Sequence, residues 1–75
     1  MKDKFIELLK EALENEDLDI KMSDNFRAYD EWDSLTLLTV IAMIDEEYGV
    51  VLEGNVFDGL KTVEDLYNEI NKNLS

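Results

Sequence analysis

The chain has no cysteine, no histidine and no proline, and it has only three glycines among 75 residues. Without cysteine, no disulfide can reinforce the small core that a chain of this length buries. Without histidine as well, Ser-His-Asp and Cys-His catalysis are excluded, together with nearly every type of zinc site. We therefore expect a protein that is not an enzyme, with no catalytic residue and no metal site.

Positive charge is also scarce, because 19 acidic residues stand against seven basic ones and the formal net charge is -12. Such a charge repels nucleic acid and anionic membranes, favours partner proteins with basic patches and favours a monomer. Long apolar runs are missing, both as a secretory signal and as a membrane span. We therefore expect a cytoplasmic protein with no stable membrane insertion and no nucleic-acid partner.

The spacing of apolar residues predicts three principal helices within a single domain over residues 1–75. The first is expected from Lys2 to about Glu14. The second is expected over Ser34–Tyr48, because Asp33 and Ser34 are good N-cap types and Gly49 suits a left-handed C-cap. The last is expected to begin at Thr62, where Thr62–Asp65 resembles a capping box with aspartate in place of the usual glutamate.

Two connections separate these helices. The segment 15–33 is long for a connection in so small a domain, and we expect four apolar residues to pack it against the helices: Ile20, Phe26, Tyr29 and Trp32. In the second connection, Gly54–Asn55 predicts a turn and residues 56–60 predict one short helix. The predicted fold is all-α, a small four-helix bundle of three principal helices and one short helix, with a long first loop.

The abundance of acidic residues raises the question of calcium. The segment Asp17–Met22 begins like an EF-hand loop. Lys21 replaces the third ligand, Met22 replaces the required glycine and Ala28 stands where the bidentate glutamate belongs. The sequence therefore excludes an EF-hand.

The second helix is unusually apolar, since Thr36 and Thr39 are the only polar residues in 35–44. One buried stripe accounts for Leu37, Val40, Ile41, Ile44 and Tyr48. A second face then remains, formed by Leu35, Leu38, Ala42 and Met43. From patterning alone, two interpretations stay open: a central helix buried all round, or a face for a partner or ligand.

Three segments of the chain resemble acyl carrier proteins. Asp33-Ser34-Leu35 is similar to the family's Asp-Ser-Leu signature, Ile44–Val50 to the ending of its second helix, and Lys61–Leu66 to the opening of its last helix. These segments lie at the family's spacings without a gap from Ser34 to Asp65.

The resemblance implies that Ser34 carries covalent 4'-phosphopantetheine, donated by coenzyme A, with Asp33 and Leu35 beside it. The arm carries acyl or aminoacyl groups as thioesters. The implied partners are a phosphopantetheinyl transferase and, for the cargo, acyl or aminoacyl ligases, ketosynthases or acyltransferases with basic docking patches.

The resemblance also implies two further sets of residues. The partner-docking set is Leu35, Thr36, Leu38, Thr39, Ala42, Asp45, Glu46, Glu47 and Asp58. The acyl chain is expected to enter a crevice between the second and third helices, lined by Leu38, Ile44, Leu52, Leu60 and Leu66. For each crevice residue, ordinary core packing is the alternative.

The chain departs from the family's pattern on both sides of Ser34. Asp30-Glu31-Trp32 replaces the common Leu-Gly-x, and we favour Trp32 as a loop anchor over a residue that partners contact. Thr36 and Thr39 stand where fatty-acid carriers place acids, which favours a specialised fatty-acid, polyketide or related pathway of lipid metabolism. An unmodified acidic interaction module is the alternative, and the apolar second helix argues against a nucleic-acid mimic.

Overall fold

A computed structural model describes residues 2–74, and within that range all regular structure is helical. The order is α1 (Lys2–Ala12), a single 3-10 turn (Phe26–Ala28), α2 (Ser34–Tyr48), α3 (Gly54–Phe57) and α4 (Val63–Asn73). The predicted all-α bundle of three principal helices and one short helix, with a long first loop, is confirmed.

The boundaries of α2 agree with the prediction. Asp33 is its N-cap, and Gly49 ends it in the left-handed region at φ 67°. The capping box of α4 is also confirmed, because the Thr62 and Asp65 side chains each accept a hydrogen bond from the other's backbone N–H. Aspartate therefore replaces glutamate in this box without loss of the reciprocal bonds.

Two predicted boundaries are wrong. α1 ends at Ala12 and not near Glu14, because Glu14 has a positive φ of 58° and so leaves the right-handed helix. α3 occupies Gly54–Phe57, so the expected Gly54–Asn55 turn is helical, and the chain turns at residues 58–59. The buried side chain of Leu60 follows that turn and does not belong to the helix.

The core is one apolar cluster to which every helix and both long connections contribute, and its described members include no polar residue. The buried residues are Phe5, Leu9, Ala12, Leu13, Ile20, Phe26, Val40, Ile44, Val50, Leu52, Phe57, Leu60, Val63, Leu66 and Ile70. The loops thus supply a substantial part of the core, as expected for a domain this small.

The first loop packs on the helices through its large apolar residues. Ile20 and Phe26 are buried, and Tyr29 and Trp32 are half-buried against the core. The Tyr29 hydroxyl donates a 2.7 Å hydrogen bond to Asp24. Burial is the main reason that the pKa of Tyr29 is raised, and this hydrogen bond is the second. The four predicted loop contacts are confirmed, and Trp32 acts as an anchor.

The same loop joins the beginning of α4. The backbone N–H groups of Val63 and Glu64 donate to the carbonyls of Asp24 and Met22 at 2.9 and 2.8 Å. An isolated bridge pairs Asn25 with Thr62. These bonds use N–H groups that a helix cannot satisfy internally, so the loop completes the first turn of α4.

Candidate functional site

Ser34 lies at the first position of α2, with an exposed side chain. None of the side-chain hydrogen bonds found among residues 2–74 involves its hydroxyl. Before it, Asp33 has extended backbone, and its Oδ1 accepts a 2.8 Å hydrogen bond from the Thr36 N–H. That bond is the main reason that the pKa of Asp33 is lowered. The helix beginning is therefore capped while the serine stays accessible.

The residues before Ser34 are held by polar contacts. The Thr36 hydroxyl donates to the Glu31 carbonyl at 2.8 Å, and the Asn15 side-chain amide donates to the Glu31 carboxylate at 2.8 Å. Trp32 follows Glu31, and the centroid of its ring lies 4.9 Å from that of Phe26. Backbone and side chain thus both fix the approach to the serine. Sequence reasoning missed Asn15 and Glu31, and no sequence signal indicates their pairing.

The outer face of α2 is exposed and apolar near Ser34. Leu35 is 72% exposed and Leu38 is 61% exposed, and Ala42 is also exposed. Val40 and Ile44 are buried on the opposite side of the helix. Of the two interpretations left open by the sequence, a central helix buried all round is wrong, because α2 has an uncovered face. A role of that face for a partner or ligand stays a prediction.

The predicted docking residues divide into two groups. Exposed residues are Leu35, Leu38, Thr39, Ala42, Asp45, Glu46, Glu47 and Asp58. Thr36 is half-buried because its hydroxyl binds Glu31. The Glu47 carboxylate lies 3.9 Å from the Lys4 ammonium, toward α1. The Thr39 hydroxyl donates to the Leu35 carbonyl. Thr36, Thr39 and Glu47 are thus members whose side chains are already engaged within the chain.

The predicted crevice residues are only partly brought together. Ile44, Leu52, Leu60 and Leu66 all belong to the buried core, whereas Leu38 lies on the exposed face. Two cavities among the described residues lie elsewhere, where α1 and the residues that follow it face the beginning and middle of α2. One of about 390 Å³ is lined by Leu13 and Thr36 among others, and one of about 320 Å³ by Leu8 and Met43 among others.

A model of the phosphopantetheine attachment site family matches residues 3–70. The chain belongs to this family. The resemblance to acyl carrier proteins is therefore confirmed, and so is 4'-phosphopantetheine as the cofactor. No curated protein sequence matches the chain significantly.

The fold of this carrier domain is similar to a solved structure. The solution NMR structure of holo acyl carrier protein from Geobacter metallireducens superimposes with a TM-score of 0.82 at 21% identity. The match covers 96% of this chain and 83% of that one. At this identity, the likeness shows the fold.

The residues around Ser34 fit the cofactor of the family. A phosphodiester on the Ser34 hydroxyl would lie at the N-terminus of a helix, where the dipole and backbone N–H groups favour an anion. Asp30, Glu31 and Asp33 precede the serine and oppose that attraction by like charge. At Ser34 the helix N-terminus and the neighbouring acids would therefore act on a phosphodiester in opposite directions.

Within 2–74, no helix is long and apolar enough to cross a bilayer. In the same range, no group of three or more acidic, histidine or cysteine side chains is arranged to hold a metal ion.

Proposed function

We propose that this carrier domain receives 4'-phosphopantetheine on Ser34 and transports acyl or aminoacyl groups for a specialised biosynthetic pathway. The observation that carries the proposal is the exposed Ser34 at the beginning of α2, within a chain that the family model matches over residues 3–70. When bound, the group supplies a thiol that holds its cargo as a thioester.

The chain's own residues position the attachment point and do no catalysis. Asp33 caps α2 and so fixes the backbone that presents the Ser34 hydroxyl. The chain contains no histidine that could activate this hydroxyl, and the adjacent Asp33 carboxylate already accepts a hydrogen bond as the N-cap of α2. A phosphopantetheinyl transferase must therefore supply the activation, and later enzymes supply the acyl-transfer chemistry.

The exposed face of α2 supports a proposal about these enzymes. Leu35, Leu38 and Ala42 offer an apolar strip beside the attachment point, and Asp45 and Glu46 add negative charge further along the helix. A partner that fits this face has an apolar patch near the serine and basic residues beyond it. Ligases, ketosynthases and acyltransferases of a fatty-acid, polyketide or related pathway are the classes we propose.

Thr36 supports the specialised pathway. Threonine is uncharged, so this position contributes no charge to the docking face, and its side chain is half-buried against the Glu31 carbonyl. Thr39 likewise donates its hydroxyl to the Leu35 carbonyl at 3.0 Å. Electrostatic attraction to a basic partner is therefore weaker in the first turns of α2 than acids at these positions would make it. Placement in the cytoplasm remains a prediction.

The test is intact-mass measurement after incubation with coenzyme A and a broad-specificity phosphopantetheinyl transferase. The expected result is a gain of one phosphopantetheinyl group, lost in Ser34→Ala. Ser23→Ala is the matched control, because Ser23 is also exposed but lies in a turn of the first loop. No gain in the wild-type chain, or a gain that survives Ser34→Ala, contradicts the proposal.

The exposed apolar face of α2 also favours a second candidate, an acidic interaction module that is never modified. The same experiment separates the two, because this candidate gains no mass. It also predicts that Leu38→Asp abolishes partner binding while Ser34→Ala leaves it unchanged.

A further inference from the structure

The inference concerns where a carried acyl group lies, and it rests on the proposed function. Four buried residues, Ile44, Leu52, Leu60 and Leu66, would have to separate if an acyl chain entered the core. Leu52 and Leu60 lie on either side of α3 in the sequence. All four are at most 9% exposed and belong to one packed core, so an acyl chain among them needs space that movement of the segment 52–60, which carries two of the four, would open.

Arg27 holds that segment in place. One guanidinium nitrogen donates to the Leu60 carbonyl and another to the Phe57 carbonyl. The same guanidinium lies 4.8 Å from the ring centroid of Phe26. Arg27 is the chain's only arginine. Its planar group suits this two-pronged contact, which lysine cannot reproduce. The bonds join the first loop to the carbonyl end of α3.

Aromatic rings join the same segment to the attachment point. Trp32, two residues before Ser34, has its ring 6.4 Å from that of Phe57 and 4.9 Å from that of Phe26. Phe26 and Phe57 meet edge to face at 6.2 Å, and both are at most 2% exposed. Movement of α3 would break these ring contacts as well as the Arg27 hydrogen bonds.

We propose that Arg27, Trp32 and Phe57 form a lock that keeps the segment 52–60 closed, so that this carrier holds its acyl group outside the helical bundle. Cargo held outside remains in contact with water. Because exposing a long alkyl chain to water is unfavourable, the lock selects for short or polar acyl groups. These three residues are specificity-determining and positioning residues, and none of them reacts with the cargo.

The experiment uses the tryptophan of the lock as the probe, since Trp32 is the only tryptophan in the chain. The holo protein is loaded with acetyl, octanoyl or dodecanoyl groups, and loading of each form is verified by intact mass. Trp32 emission and the unfolding temperature are then measured. For the wild-type chain, we expect both to be the same for all three groups.

Two variants weaken the lock from different sides. Arg27→Lys keeps the charge but loses the two-pronged contact, and Phe57→Leu keeps an apolar residue but removes one of the two rings that lie beside Trp32. In both variants we expect the Trp32 emission maximum to shift, and the unfolding temperature to rise, progressively with acyl length. A general loss of stability would lower the unfolding temperature equally for every cargo and would not produce this dependence.

Each outcome separates the two proposals. A wild-type response that grows with acyl length overturns the lock, because the cargo then enters the core. An absent response in the wild-type chain and in both variants also overturns it, because something other than these residues excludes the cargo. Failure to load Ser34 at all contradicts the proposed function and not the lock.

Discussion

The beginnings of α2 and α4 differ in how their backbone N–H groups are used. At α4, the Thr62 hydroxyl accepts from the Asp65 N–H, and Asp65 Oδ2 accepts from the N–H groups of Thr62 and Lys61, all at 3.1 Å. The N–H groups of Val63 and Glu64 donate to carbonyls of the first loop. The chain itself therefore occupies this helix beginning.

At α2, the cap is simpler and faces solvent. Asp33 accepts one side-chain hydrogen bond, from the Thr36 N–H, and Ser34 is exposed. Both helices begin with a good capping residue, so the difference between them comes from tertiary packing. The first loop covers the beginning of α4 and leaves that of α2 accessible. A covered helix beginning is a structural joint, whereas an accessible one can receive a modification.

Phe26→Ala should have the largest effect on the packing that covers the beginning of α4. Phe26 is fully buried and contacts the rings of Trp32 and Phe57. We expect the free energy of unfolding, measured by urea titration, to fall by about 3–5 kcal/mol. Hydrogen exchange at Val63 and Glu64 should accelerate, because the loop that covers α4 loses its main apolar contact.

The more conservative Phe26→Leu provides the control, since it keeps an apolar side chain and should lose less stability than Phe26→Ala. A loss below about 1 kcal/mol in Phe26→Ala would show that the loop does not depend on this residue.

Asp65→Ala and Asp33→Ala compare how much stability each helix cap contributes, and both should lose less stability than Phe26→Ala. Asp65 accepts two backbone hydrogen bonds through its side chain and Asp33 accepts one. We therefore expect both variants to lose stability at neutral pH, with the greater loss in Asp65→Ala. Urea titration of the two variants beside the wild-type chain measures the difference, and equal losses would contradict it.

The same pair predicts a pH dependence. The hydrogen bond from the Thr62 backbone N–H is the main reason that the pKa of Asp65 lies below its ordinary value of 3.8. The hydrogen bond from the Thr36 backbone N–H has the same effect on the pKa of Asp33. A carboxyl with a lowered folded-state pKa stabilises the fold above its unfolded pKa, and this stabilisation is lost as pH falls through the folded value. The advantage of the wild-type chain over each variant should therefore be full at neutral pH and shrink below about pH 3.8. An advantage that does not change with pH would contradict this origin.

The sequence predicts the parts of this molecule that local chemistry decides. Asp33, Gly49 and the Thr62–Asp65 box fix helix ends through bonds within a few residues, so both boundaries of α2 and the beginning of α4 are correct. The contact of Arg27 with carbonyls about thirty residues away leaves no local pattern. The predicted position of the short helix is wrong for a different reason, because Val56, Phe57 and Leu60 reach the core from a helix and a following turn together. The Asp-Ser-Leu signature predicts Ser34 as the attachment residue, whereas the packing of the first loop over the beginning of α4, and not over that of α2, requires the fold.

Tyr48 lies at the other end of α2. Tyr48→Phe should change the free energy of unfolding least among these variants, and it should raise this free energy where the others lower it. The Tyr48 hydroxyl is buried and has no hydrogen-bond partner among the described residues, while the ring meets Phe5 edge to face at 6.5 Å. A buried hydroxyl without a partner loses its hydration and gains nothing in return. Phenylalanine keeps the ring contact and removes the hydroxyl, so we expect urea titration to show a gain of about 1 kcal/mol. Tyr67→Phe is the matched control, because Tyr67 also packs on Phe5, at 5.5 Å, but its hydroxyl is not among the buried unpaired atoms. An equal gain in both variants, or a loss in Tyr48→Phe, would show that the Tyr48 hydroxyl is satisfied in solution.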